Sequence, residues 1–294
     1  MITLQILKSM VTLFLFWSIY KLFLEKETAF IFNRIYLLSS PIIAIILPFI
    51  NLNLEHQTPI YLTFTPIVNE NTLFWTLSSI YVLGIFIYSL RFILELFRLF
   101  NLIRKGQNSF ISNTNILLTK EKTQPFSFLK YIIVNEKDIQ TEKFNDLILL
   151  HEQTHVQQKH SLDILFLECV RILFWFNPVI HLIIQSAKLN HEFLADKAVI
   201  DKNDSKIKQY QELLLSFSSQ PSIQISSAVN YKVTKKRFLK MKQKTNNQMR
   251  KVVPLSISVT GIMFIILFSI TNLQQSSGSG ESSEHHSTNS EHSS

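Results

Sequence analysis

His151-Glu152-Gln153-Thr154-His155 places two imidazoles four residues apart, with a carboxylate directly after the first. On a helix, at about 100° per residue, the two histidines lie about 40° apart on one face, so both can reach one divalent cation. Glu152 lies about 100° to the side, suited to act on a water next to the metal rather than to ligate it. The chemistry this pattern serves is zinc-assisted hydrolysis. Zn2+ polarises a carbonyl and lowers the pKa of its water, while the glutamate takes the proton and delivers it to the leaving amine.

A catalytic zinc wants three protein ligands and one open position. His160 is the nearest further histidine, but on a continuous helix it points about 180° away from His151 and fits poorly unless the helix breaks. His181 follows Asn177-Pro178 in an apolar run, where burial or an interfacial place suits it better. The segment Asn190-His191-Glu192-Phe193-Leu194-Ala195-Asp196 offers more, because Glu192 and Asp196 are four residues apart and share a helix face. Glu192 is the expected third ligand, and Asp196 is expected to take a hydrogen bond from a ligand histidine and so fix its tautomer. His191 is left for a contact with substrate or an oxyanion.

The elements around these residues read as membrane helices. Apolar stretches at about 2–24, 30–50, 73–97 and 252–270 approach the roughly 20 residues that cross a bilayer. The first has no small-residue cleavage site and reads as a retained anchor. Of 29 Lys and Arg, 23 lie between Arg104 and Lys251, and none lies in 51–71 or 273–294. By the positive-inside rule the amino terminus, the 51–71 loop and the tail are outside, and the Glu25–Ala29 turn and the long interval are cytoplasmic. The expected division is three transmembrane helices in 1–103, a cytoplasmic metallopeptidase domain in 104–251, a fourth helix in 252–272 and a disordered tail in 273–294. The run 161–184 is apolar enough to suggest a fifth span. If it crossed, His151 and Glu192 would be on opposite sides of the membrane, so it reads as a helical hairpin, buried or on the membrane surface. Ser161 is its expected cap, and Glu168 and Arg171 pair at i,i+3.

The fold class expected is mainly α, a polytopic membrane protein with four transmembrane helices and a cytoplasmic zinc protease domain containing a small β-hairpin. The hairpin strands are 115–119 and 131–134; a strand edge there can hold an extended peptide. With 47% hydrophobic and 17% charged residues the chain is too apolar to be disordered, and its single cysteine, Cys169, excludes an intramolecular disulfide. The basic cluster of Lys232, Lys235, Lys236, Arg237, Lys240, Lys242 and Lys244 reads as a topology determinant next to anionic lipid. No recognition motif accompanies it, so direct nucleic-acid binding is not expected.

Taken in order, these parts resemble the BlaR/MecR-type antirepressor membrane metallopeptidases. The likeness includes Leu24-Glu25-Lys26-Glu27-Thr28 with Asn33-Arg34, Pro125-Phe126-Ser127-Phe128, His160-Ser161-Leu162-Asp163 and Phe174-Trp175-Phe176-Asn177-Pro178, besides the two motifs above. It implies a gluzincin-like zinc endopeptidase in a bacterial cytoplasmic membrane, with His151, His155 and Glu192 as ligands and Glu152 as base. In such proteins an outside stimulus activates the protease, which cleaves itself or a DNA-binding repressor. The partners implied are membrane lipid, a protein or peptide substrate such as a winged-helix repressor, and a second copy in a homodimer. Beta-lactam sensors of this family carry a penicillin-binding domain with S-x-x-K after the last span. Here 273–294 is a polar tail, and Ser205-Lys206-Ile207-Lys208 matches those letters only on the cytoplasmic side. Two rivals stand beside this reading. One is an HtpX/CAAX-type quality-control or processing protease; the other is a non-catalytic receptor or scaffold held together by zinc.

Overall fold

The computed structural model describes residues 2–47, 70–111, 114–121, 123–140, 144–218, 224–243 and 252–261. The chain is mainly helical. Helices α1 (Ile2–Ile19, continued by one π turn, Tyr20–Leu24) and α2 (Phe30–Ile46) form an amino-terminal pair, and α3 (Glu70–Lys105) follows. Four short strands come next: β1 (Gln107–Ile111), β2 (Thr114–Thr119), β3 (Phe126–Phe128) and β4 (Tyr131–Asn135). The remaining helices are α4 (Glu136–Gln140), α5 (Asp146–Gln157), α6 (His160–Leu173), α7 (Pro178–Lys202), α8 (Ile207–Ser218), α9 (Gln224–Met241) and α10 (Val252–Gly261).

Among the described residues, two helical stretches are long and apolar enough to cross a bilayer, Gln5–Leu24 and Thr72–Lys105. Phe30–Ile46 and Val252–Gly261 are apolar but shorter. The ends of the expected second and fourth spans, the 51–69 loop and the tail lie outside the described residues. At 36 residues, α3 is about 54 Å long, more than the hydrocarbon thickness of a bilayer. Its side chains pack little against the rest of the chain, and Phe74, Trp75, Phe86 and Phe97 are exposed, an apolar surface that suits lipid better than water.

The strands correct the expected β-hairpin. The two segments named for it are parallel neighbours, Leu117 opposite Ile133, in a four-stranded mixed sheet of order β1-β2-β4-β3. The flanking strands, antiparallel to their neighbours, gave little signal: β1 is mostly polar and β3 has three residues. The sheet's Ile132 and Val134 pack on Leu147, Ile148 and Leu149 of α5, which brings β3 alongside the HExxH helix.

The 161–184 run is a helical hairpin, α6 and α7, turning at Phe174–Asn177. Asn177 caps α7 by accepting the Val179 N–H at 2.9 Å, and Pro178 takes the first helical position, where its missing N–H costs nothing. Arg171 and Glu168 pair at 2.6 Å, as expected. Ser161 is not the cap. The chain turns through Lys159 at φ 56°, α6 begins at His160, and the Ser161 hydroxyl accepts the Leu129 N–H from the β3–β4 turn. The hairpin shares its core with the amino-terminal pair: Leu167, Ile180 and Ile183 meet Leu13, Tyr20 and Leu37. Its turn rests on α3, where Tyr88 stacks on Trp175 and Tyr81 donates to the Leu173 carbonyl at 3.1 Å.

Gly84 is required by that contact. A Cβ built on it would lie 2.1 Å from Trp175 Cε2. Gly84→Leu is expected to destabilise the protein by about 1–3 kcal/mol through overpacking. This would be read as a lower unfolding temperature in detergent, and Trp175→Ala in the same chain should recover part of the loss.

Candidate metal centre

Helix α5 is set by Asn145, whose side chain accepts the Leu147 and Ile148 N–H groups, and by an apolar face directed at the sheet. One turn further on, that helix presents His151 and His155, buried or nearly so. Helix α7 crosses beside it and supplies Glu192 and Asp196 from successive turns. The ligand atoms of His151, His155 and Glu192 all lie within 4.8 Å of one another. His151 Nε2 and His155 Nε2 are 3.2 Å apart, Glu192 Oε2 is 3.4 Å from the first and Glu192 Oε1 is 3.7 Å from the second. Zinc bonds of about 2.0–2.1 Å at tetrahedral angles put ligand atoms roughly 3.3 Å apart.

The hydrogen bonds around the ring also fit a cation. Tyr210 of α8 donates its O–H to Asp196 Oδ1 at 2.7 Å, so its oxygen accepts from His151 Nδ1 at 2.8 Å. That leaves a lone pair on His151 Nε2. His160 Nε2 meets Gln158 Oε1 at 3.1 Å, an oxygen that only accepts, so the proton is on Nε2 and His160 Nδ1 accepts from His155 Nδ1 at 2.9 Å. A lone pair then remains on His155 Nε2 as well. Two lone pairs and a carboxylate converging in a buried space repel unless a cation lies between them, which is the chemistry of a zinc donor set.

The surroundings reinforce this. Burial opposes charge on His151, but the Glu192 hydrogen bond and the Glu192 and Asp196 carboxylates raise its pKa; what favours a proton there favours any cation. For His155, burial, reinforced by neighbouring His151, His191 and Arg237, lowers the pKa to about 3, so the ring stays neutral and free to ligate. Burial would keep Glu192 protonated, yet Arg237 and the two histidines hold it well below the usual carboxylate range. Glu152 behaves oppositely. Its burial, with Glu192 nearby, raises its pKa against the pull of His151 and a hydrogen bond from Ser127 of β3.

Three residues of this site were not read from the sequence. Asp196 reaches His151 through Tyr210, its direct approach being 3.5 Å. Arg237, read as one of a basic cluster facing lipid, instead points inward from α9. It holds Asp196 with two bonds of 2.6 and 2.9 Å and Glu192 Oε2 at 2.9 Å. The third is His160, which the break at Lys159 turns back toward His155. His191 stacks on His160 with centroids 4.1 Å apart, and its Nε2 is taken by Asp163 at 2.9 Å rather than left free for an oxyanion. His181 packs toward Tyr88, away from the cluster.

A cavity of about 370 Å³ opens beside the cluster, walled by Leu96 and Leu99 of α3, Phe128 of β3 and Ile164 of α6, and ending at His155 and Glu192. The site therefore sits against the long apolar helix.

A family model described as BlaR1 peptidase M56 matches residues 55–244, which include every residue of the cluster. The chain belongs to this family. A BlaR/MecR-type protein also appears among curated relatives. The regulatory protein BlaR1 of Bacillus licheniformis is 33% identical over 97 residues, 32% of this chain. The chain spans 16% of that protein's length. The matched residues include the HExxH helix α5, the α7 helix that carries Glu192, and the long apolar α3.

Proposed function

We propose that this M56 protein is a membrane-embedded zinc endopeptidase acting as an antirepressor, cleaving itself or a cytoplasmic repressor in response to an outside stimulus. The observation that carries the reading is the convergence of His151, His155 and Glu192 with Glu152 buried beside them. A structural zinc site has no use for such a base and tends to fill all four positions. His151, His155 and Glu192 would hold the ion, which supplies Lewis-acid polarisation of the scissile carbonyl and acidifies water in the cleft. Glu152 takes the proton from the attacking water and returns it to the leaving amine. Arg237 and Tyr210 keep the ligands oriented. An extended substrate adds to the sheet at β3, whose outer edge is unpaired among the described residues and whose Ser127 adjoins Glu152.

The orientation proposed has the metal centre on the cytoplasmic side of a four-span chain. The positive-inside count supports it. So do the contacts of the 25–29 turn, where Glu25 pairs with Lys236 at 2.5 Å and Lys240 donates to the Lys26 carbonyl at 2.5 Å. Those bonds require the turn and α9 to share one side of the membrane.

Full-length protein in vesicles, incubated with a purified winged-helix repressor, is expected to release repressor fragments, and a chelator should stop this. If only unfolded membrane proteins are cut, the quality-control reading replaces this one. Metal should also stabilise the fold. Free zinc at about a thousand times its dissociation constant is expected to add about 4 kcal/mol to the unfolding free energy, seen as a higher unfolding temperature that chelation reverses.

A further inference from the structure

His155 lacks the outer partner that His151 has. Around His151, Asp196 and Arg237 act through Tyr210. Around His155 Nδ1 the partner is another imidazole, His160, at 2.9 Å. An imidazole can accept there only in one tautomer, and two groups hold it in place. Gln158 Oε1 takes the Nε2 proton at 3.1 Å, and His191 stacks flat on the ring at an interplanar angle of 7°. Behind them the chain of contacts continues to the amino-terminal helices: His191 Nε2 meets Asp163 at 2.9 Å, and Arg34 of α2 donates to both Asp163 oxygens at 2.7 and 3.2 Å. Arg34 also donates to the Gln158 carbonyl at 2.6 Å, at the end of the helix that carries both ligand histidines. A half-buried guanidinium bound to both sides of the Lys159 bend fixes the angle between α5 and α6, and that angle determines where His160 meets His155.

We infer that His160 is a positioning residue that fixes the tautomer and ring plane of the metal ligand His155, and that Arg34 of α2 supports it through Asp163, His191 and the end of α5. This rests on the metal-site reading above. It assigns a role to a histidine whose spacing argued against any part in the site. It also makes the quality of the metal site depend on the docking of an amino-terminal helix.

The test uses full-length protein in detergent, with zinc affinity from competition against a chelating dye and the visible spectrum of the cobalt-loaded form. His160→Ala is expected to weaken zinc binding about 10–100-fold, as removal of a ligand's outer partner does, and to change the cobalt bands. Asn places an oxygen where Nδ1 of histidine lies, and Gln places it where Nε2 lies. His160→Asn should therefore recover most of the affinity and the parent spectrum, and His160→Gln should not. Arg34→Met should shift both readouts the same way as His160→Ala, by less. Equal behaviour of the Asn and Gln variants, or parent-like binding by His160→Ala, would overturn the inference while leaving the metal site standing. A parent chain that binds neither zinc nor cobalt overturns both.

Discussion

Glu152→Gln is expected to lower peptide-bond cleavage by about 10²–10⁴-fold, the range of a positioned general base, while zinc content stays at the parent level. The amide has nearly the shape of the carboxylate and can keep a hydrogen bond to Ser127, so the change removes proton transfer and little else. Its burial favours the substitution, since a neutral amide is easier to bury than a charge. The raised proton affinity of Glu152 matters to the chemistry too. A base whose proton affinity is raised above that of an exposed carboxylate takes a proton from water more readily. Cleavage by purified Glu152→Gln at the parent rate would remove Glu152 from the reaction and with it the proposed mechanism.

Arg237→Met is expected to have the largest effect on stability, a loss of about 3–5 kcal/mol, as when one partner is removed from a buried ion pair. Asp196 is 3% exposed and Arg237 12%, so the carboxylate left behind has little access to water. Glu192 loses its countercharge in the same step, and Arg237 is the largest of the influences that hold its carboxyl well below the usual carboxylate range against burial. Arg237→Lys keeps a charge but not the fork that reaches Asp196 through two nitrogens and Glu192 through a third, so an intermediate loss is expected. Denaturant or thermal unfolding of the metal-free protein in detergent measures this without interference from bound zinc. In the double variant Arg237→Met, Asp196→Leu, part of the loss should return, because the more deeply buried of the two carboxylates is then no longer stranded.

The parts of this site that were legible in the sequence depend on a local rule. His151 with His155, and Glu192 with Asp196, are each four apart, and helix geometry alone brings each pair onto one face. The pairing of Glu192 with the histidines followed from chemistry, because a zinc site with two ligands needs a third. Tyr210 and Arg237 follow no such rule. They reach the centre from α8 and α9, and nothing in Lys235-Lys236-Arg237 marks which cation points inward. His160 was misjudged for a definite reason: the 180° offset assumed a continuous helix, and Lys159 in the left-handed region breaks it with no glycine or proline to signal the bend. The sheet failed similarly, because β2 and β4 are strong strands whose parallel pairing depends on a three-residue partner, β3. The hairpin of α6 and α7 was recovered by a constraint outside local propensity, the need for both motifs to share one side of the membrane.

The central claim is that His151, His155 and Glu192 together hold one zinc ion, and elemental analysis of purified full-length protein after zinc loading and desalting measures it directly. The expected result is one zinc per chain in the parent and in Glu152→Gln, and near none in His155→Leu or Glu192→Leu. No retained zinc in the folded parent, or the same zinc content in all four proteins, would contradict it.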